Sequence, residues 1–146
     1  MAKKIMMMVL ALCIVIASAC AEEALLDRVK RIAEDGEDLI EMDEDDLYDI
    51  IGIEPDEYTD FAYLTDHDAL SGREVIVLLA SDEEAAQSVA EKLENYREQR
   101  MRVTRNYLPE AYRVLSEAEV LQDDLLVVLT IAPPDPQEAG LLLQEE

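Results

Sequence analysis

The spacing of apolar residues predicts helices in the first third of the chain. They recur at helical intervals over residues 22–35, and Gly36 ends that helix. A second, short helix is predicted over residues 43–51, where an aspartate cap precedes Leu47, Ile50 and Ile51 on one side. Both segments would bury one apolar stripe against a neighbouring element.

Extended segments follow, and they come in adjacent pairs. Residues 61–65 predict a strand, and the nearly continuous apolar run "EVIVLLA" at 74–80 predicts a buried one. Residues 117–121 and 125–132 predict a β-hairpin, joined by the polar turn "QDD" at 122–124. Paired strands of this kind are typical of an antiparallel sheet.

The longest helix lies between the two pairs of strands. The stretch "SDEE" predicts a capping box formed by Ser81 and Glu84, opening a helix that runs to about Arg105. Pro109 suits the first turn of another helix, "PEAYRVL". A short C-terminal helix is predicted over residues 137–146.

This order of elements predicts an α+β fold after a signal peptide. We expect an antiparallel sheet of about four strands, covered on one face by a long helix and shorter helices. The pattern contains no internal repeat, so residues 20–146 are interpreted as a single domain.

The first nineteen residues are typical of a signal peptide. Lys3 and Lys4 precede an uncharged apolar run over residues 5–17, which is shorter than the ~20 residues of a spanning helix. The small residues Ala17-Ser18-Ala19 follow, and Cys20 comes next. Read as a bacterial lipobox, this end predicts lipidation of Cys20. Read as a general signal peptidase site, it predicts plain secretion, and an uncleaved anchor is the third alternative.

Composition excludes several classes of function. The formal net charge of −23 opposes binding to nucleic acid and to anionic lipid headgroups. The chain has two cysteines and one histidine, so a structural zinc site is not expected. No nucleophile, phosphate-binding or dinucleotide motif is present, so we expect neither an enzyme nor a cofactor.

Two acidic groupings are weak candidates for metal binding. The stretch "DHD" places Asp66, His67 and Asp68 together, which suits either a metal site or a solvated turn. The stretch "EMDEDD" at 41–46 suits weak calcium binding or a charged helix start. In both stretches the structural interpretation is favoured over the metal site.

The basic residues concentrate between positions 97 and 113, which hold five arginines. Arg97, Arg100, Arg102 and Arg105 suit three roles: complementing the end of the long helix, pairing with the acidic segment 34–60, or receiving an acidic partner. The nearby Tyr107 and Tyr112, in "NYLPEAY" at 106–112, predict a helix–helix corner with packed tyrosines, and a peptide or ligand groove is the alternative.

The chain resembles the bacterial domain family of unknown function DUF4358. The resemblance rests on "YDIIGIEPDEYTDFAYL", "REVIVLLASDEEAAQSVAEKLENYREQRM" and "NYLPEAYRVLSEAEVLQDDLLVVLTI", within residues 24–143. The family has a glycine turn in the final hairpin, where this sequence has Gln122-Asp123-Asp124. The resemblance implies a short secreted protein, often with a lipobox, and implies no activity.

These observations together predict a lipid-anchored binding or assembly module at the extracytoplasmic face of the cell membrane. Its expected contacts are the membrane, through a lipid on Cys20, and an unknown protein partner, with no nucleic acid. The alternatives are a soluble secreted module and a weak divalent-cation (calcium) binding protein.

The lipid anchor is testable with labelled palmitate in the native host. We expect label on the wild-type protein and none on Cys20→Ala, because the thiol is the acceptor. Cys13→Ala is the matched control and should keep the label, since Cys13 lies within the apolar run. An unlabelled wild-type protein would contradict lipidation.

Overall fold

The computed structural model describes residues 24–33, 39–68 and 71–131. In these residues five strands form one antiparallel sheet in the order β1-β2-β3-β5-β4. The strands are β1 (Ile40–Glu41), β2 (Tyr58–Thr65), β3 (Glu74–Ala80), β4 (Val120–Asp123) and β5 (Leu126–Ile131). The helices are α1 (Leu25–Ile32), α2 (Glu44–Asp46), α3 (Glu83–Thr104) and α4 (Pro109–Glu117). The predicted α+β class is confirmed.

Strand β3 is the centre of the sheet. It pairs with β2 on one side, with Val77 opposite Ala62, and with β5 on the other, with Val77 opposite Val128. Six of its seven residues are buried, which is why its sequence is apolar without alternation. Both faces of this strand are therefore covered.

One face of the sheet packs against α3 and α4. Ala86, Val89 and Leu93 form the buried stripe of α3, and Leu115 contributes from α4. The core is completed by buried residues that point to the same face, namely Leu47, Ile53, Tyr63, Ile76, Leu78, Ala80, Tyr96, Ala118, Val127, Leu129 and Ile131. This face matches the predicted layer of one long and several short helices.

Helix α1 packs on the opposite face of the sheet, where the prediction of helices on one face places none. Leu25 and Val29 contact a second cluster of buried residues that includes Leu64 and Val75. Asp60 of β2 fixes the start of α1, because its Oδ2 accepts the backbone N–H of Leu25 at 3.0 Å. The described part of this helix ends before residue 34.

The sheet has five strands where about four were predicted. The additional strand is β1, in which Ile40 lies opposite Thr65 and Glu41 opposite Leu64. A two-residue strand is too short to show alternation, so it has no signature in the acidic segment that contains it.

The predicted short helix over residues 43–51 forms as α2, followed by a π-helical stretch over Leu47–Ile51. Asp43 caps it by accepting the backbone N–H of Asp46, and Gly52 ends it at φ 81°. Leu47 is buried, but Ile50 is 44% exposed. The wider π-helical turn changes the angular spacing of the side chains, so the predicted common side is wrong for Ile50.

The predicted Ser81–Glu84 capping box is replaced by a cap one residue later. Asp82 is the N-cap of α3, and its Oδ1 accepts the backbone N–H of Ala85 at 2.8 Å. The Ser81 hydroxyl instead donates to the Asp56 carbonyl at 2.8 Å. Tertiary contact with the preceding loop therefore decides which of two adjacent cap formers is used.

The hairpin β4–β5 closes with a two-residue turn. Asp123 lies opposite Leu126, and Asp124 takes a φ of 53°. Aspartate tolerates this left-handed conformation, so it serves where the family has glycine. The predicted signal peptide, Cys20 and the helix at 137–146 lie outside the described residues. Among the described helices, none is both long and apolar enough to cross a membrane.

The cap of α3 gives a stability prediction. We expect Asp82→Ala to lower the free energy of unfolding by about 1 kcal/mol, because the Ala85 N–H loses its acceptor. Glu84→Ala is the matched control on the same turn and should change it by less than about 0.5 kcal/mol. Urea unfolding followed by circular dichroism measures both, and a larger loss in the control would support the Ser81 box instead.

Candidate functional site

A buried carboxylate lies at the first position of the central strand. Glu74 is 6% exposed, and its backbone pairs with Thr65 on β2 and Ile131 on β5. It shares the strand parity of Ile76 and Leu78, so its side chain points toward α3. A buried acid needs partners that satisfy its oxygens.

Residues from two other elements supply those partners. The Tyr96 hydroxyl lies 2.9 Å from each oxygen of Glu74, and Nη1 of Arg100 lies 2.6 Å from Oε2. The Tyr63 hydroxyl on β2 approaches Oε1 at 3.5 Å. The Arg100 guanidinium also lies 5.7 Å from the centre of the Tyr96 ring, within range of a cation–π contact.

Burial dominates the electrostatics of this cluster. It raises the pKa of Glu74, while Arg100 and the two tyrosine hydroxyls act in the opposite direction. Burial and the charge of Glu74 raise the pKa of Tyr96 to about 12. The same causes raise the pKa of Tyr63. Both tyrosines therefore stay protonated as hydrogen-bond donors at physiological pH.

A cleft of about 350 Å³ opens to the surface above this cluster. It is lined by Ile50, Tyr96, Gln99, Arg100, Val103 and Thr104. Its apolar side chains are unusually open to solvent, since Ile50 is 44% and Val103 68% exposed. The volume lies at the lower end of the ~300–1,000 Å³ typical of small-ligand clefts.

The floor of the cleft offers unused hydrogen-bond donors. Arg100 contacts Glu74 and Tyr96 through Nη1 alone, and its Nε and Nη2 reach no acceptor in the described part of the chain. Gln99 adds an exposed amide. Thr104 is occupied, because its hydroxyl donates to the Arg100 carbonyl at 2.9 Å. The arrangement suits binding of a group that combines an acceptor with an apolar part.

Comparison with known proteins places these residues in a family. A family model described as a domain of unknown function, DUF4358, matches residues 32–132. The chain belongs to the DUF4358 family. No curated protein and no solved structure matches it.

The stretch Asp66–His67–Asp68 of this DUF4358 protein forms part of a turn. Asp66 Oδ1 accepts the backbone N–H of Asp68 at 3.0 Å, and this bond is the main cause that lowers the pKa of Asp66. His67 and Asp68 are exposed. Across residues 24–33, 39–68 and 71–131, no three side chains of metal-ligating type converge on one point.

Carboxylates of the acidic stretch 41–46 of the DUF4358 domain pair with a neighbouring lysine and with backbone N–H groups of the same stretch. Glu41 forms an ion pair with Lys30 of α1. Asp43 and Asp46 form a reciprocal capping box, each accepting the other's backbone N–H at 3.0 Å. These carboxylates serve helix and strand ends and do not converge as calcium ligands do.

The arginines divide into paired and unpaired groups. Arg97 forms an ion pair with Glu94, and Arg100 with Glu74. Arg102 and Arg105 form no ion pair with any described residue, so none of the four arginines pairs with the described part of segment 34–60, which was one of the three roles considered. Lysines pair with that segment instead: Lys30 of α1 with Glu41, and Lys92 of α3 with Glu57, whose Oε2 lies 2.5 Å from Nζ of Lys92.

The predicted corner between two helices forms, with one tyrosine packed and one exposed. Tyr112 is half-buried on α4, whereas Tyr107 in the connecting turn is 83% exposed. The prediction that both tyrosines pack is therefore wrong for Tyr107.

Sequence reasoning missed the Glu74 cluster because its members are far apart in the chain. Two signals were available: Glu74 has the parity of the core residues Ile76 and Leu78, and Arg100 follows Tyr96 by four positions on a helix. Neither signal shows that the two elements meet.

The cluster predicts a pH-dependent effect on stability. We expect Arg100→Ala to lower the free energy of unfolding by about 3 kcal/mol at pH 8, because it leaves a buried carboxylate without its counter-charge. Arg102→Ala, on the same helix, should change it by less than about 0.5 kcal/mol.

The sign of the pH dependence follows from Glu74. Burial raises its folded pKa, so its contribution to stability is present below the unfolded value and is lost as the pH rises through the folded value. Arg100 lowers the folded pKa of Glu74, so removing Arg100 raises that pKa further and this contribution persists to a higher pH. Urea unfolding should therefore show a smaller loss for Arg100→Ala at pH 5 than at pH 8, and an equal loss would contradict the role of Glu74.

Proposed function

We propose that this DUF4358 protein is a binding or assembly module, held at the extracytoplasmic face of the cell membrane by a lipid on Cys20. The cleft above Glu74 is its contact site for a protein partner. The observation that carries the proposal is the exposure of Ile50 and Val103 over a buried, hydrogen-bonded charge cluster.

Rigidity supports a binding role for this cleft. Its floor is fixed by Arg100 and Tyr96, which are joined to the central strand through Glu74. A cleft held in one shape loses little conformational freedom when a partner binds. The floor of this cleft is bonded to the central strand of the sheet, so its shape is restrained.

The chemistry of the cleft supports a polypeptide partner. Open apolar walls beside guanidinium and amide donors resemble the anatomy of protein interfaces, where an apolar centre adjoins polar hydrogen-bonding groups. An apolar side chain of the partner would lie between Ile50 and Val103. A backbone carbonyl or carboxylate next to it would accept from Nε or Nη2 of Arg100.

Membrane attachment is supported by the sequence at the N-terminus, where Cys20 follows the apolar run and the small residues 17–19. A chain with a formal charge of −23 has no electrostatic attraction for an anionic membrane, so residence there would need a hydrophobic anchor such as a lipid on Cys20. A soluble secreted module would carry the same cleft, and the palmitate experiment separates the two locations.

Site-specific photocrosslinking in the native host tests the cleft. A benzoylphenylalanine placed at Val103, in the full-length protein, should give a discrete protein adduct on irradiation, because the side chain would lie in the interface. Asn95 is the matched control, an exposed position two turns earlier on α3. The same probe at Asn95 should give no such adduct.

A second substitution checks that the adduct depends on the cleft. Ile50→Asp should abolish the adduct formed from position 103, since it places a charge in the opposite apolar wall. Equal adducts at 95 and 103, or an adduct that survives Ile50→Asp, would contradict the proposed site.

A further inference from the structure

A second cleft, of about 290 Å³, lies at the corner between α3 and α4. It is lined by Arg97, Glu98, Met101, Arg102, Arg105 and Tyr112. It uses the side of α3 next to the one that carries Arg100 and Val103, so the two clefts are separate surfaces. Three of its six lining residues are arginines in a chain where acidic residues outnumber basic ones 35 to 12.

Arg97 is the structural member of the three. Its guanidinium donates to Glu94 through Nε and Nη2. Its Nη1 donates to the Leu115 carbonyl at 2.9 Å and to the Met101 sulfur at 3.1 Å. These bonds join α4 to α3 and compensate the charge of Arg97, so it shapes the cleft and leaves little charge for a ligand.

Arg102 and Arg105 differ from Arg97 because their charges have no partner among the described residues. Every other Lys and Arg that the structure describes has an ion pair or another polar or electrostatic contact, whereas the side chains of these two have none with residues 24–33, 39–68 or 71–131. Glu98 lines the same cleft and lies one turn from Arg102, yet it forms no ion pair with it. In so acidic a protein, two adjacent uncompensated cations create a local site for a negative group.

The negative end of the α3 dipole explains why arginines lie at positions 102 and 105, but it does not explain why they line a cleft with apolar residues. The helix ends at Thr104, with Arg105 as its C-cap, so both cations are favourable near the negative end of the helix. That role needs no cleft and no apolar floor. Here the cations line a cleft together with Met101 and Tyr112, which offer an apolar surface beside them.

We propose that this cleft binds a short acidic segment of another polypeptide. Two carboxylates of the segment would pair with Arg102 and Arg105, since guanidinium groups match the geometry of carboxylates. An apolar side chain between the carboxylates would pack on Met101 and Tyr112. This inference concerns a separate surface and holds whether or not the cleft at Val103 takes a partner.

Charge selects an acidic segment over an extended polyanion. A nucleic acid or an anionic membrane would bring many negative charges against a surface with a net charge of −23. A short peptide brings only the few carboxylates that the cleft compensates. At physiological ionic strength, repulsion from charges more than about 8 Å away is largely screened.

The test is a calorimetric titration of the full-length protein at about 0.15 M salt, so that the rest of the acidic surface is screened. The probe is a capped pentapeptide with four glutamates around a central phenylalanine, and its control replaces the glutamates by glutamines. We expect saturable binding of the glutamate peptide, and at least tenfold weaker binding by the Arg102→Gln/Arg105→Gln double variant. Both side chains are exposed, so the double variant should retain its fold, which circular dichroism checks.

Arg113→Gln is the matched control, because Arg113 is an exposed arginine already paired with Glu110 and Glu117. It should bind the peptide as the wild type does. No binding at millimolar peptide, or equal binding by the double variant, would overturn the proposal. It would also be overturned if tripolyphosphate or phosphatidylglycerol vesicles bound in an Arg102- and Arg105-dependent manner while the peptide did not.

Discussion

The hydrogen-bonded ion pair between Glu74 and Arg100 joins the two main layers of the structure. Glu74 begins the central strand, and Arg100 lies near the end of the longest helix, so their contact fixes the C-terminal half of α3 over the sheet. A buried pair of this kind contributes little net stability, because desolvation offsets the attraction. The pair instead fixes the position of α3, since an alternative packing of this helix would leave a buried carboxylate without partners.

The placement of α3 decides what its last turns expose. One side of the helix carries Val103 and Arg100, which line the first cleft. The adjacent side carries Arg102 and Arg105, which line the second. The rest of α3 is occupied by packing, through Ala86, Val89 and Leu93 of its first half. One helix therefore packs into the core through its first turns and lines two surface clefts with its last.

Net charge sets these surfaces apart from the rest of the protein. Most of the exterior is acidic and repels other acidic molecules, while the described cations are largely paired. Within such a field, a small apolar or cationic area is distinctive. The proposed partners are therefore ones that present a matching local patch.

The sequence by itself determined the elements with strong local signals. The apolar run of β3, the stripe of α3 and the proline at the start of α4 predicted those elements to within one or two residues, because their patterns repeat over several turns or strand pairs. The α+β class followed from the pairing of strands along the chain. The two-residue strand β1 carried no pattern, and Asp82 replaced Ser81 as the cap of α3 because Ser81 bonds to a distant loop.

The candidate site depended on contacts that no local pattern encodes. Glu74 and Arg100 are 26 positions apart, and the sequence shows only one charged residue at the edge of a strand and another on a helix. Whether an arginine is half-buried in a pair, as Arg100 is, or left without an ion pair to any described residue, as Arg102 is, depends on how the helix rotates against the sheet. That rotation is set by the packing of the whole core, so only the tertiary structure decided it.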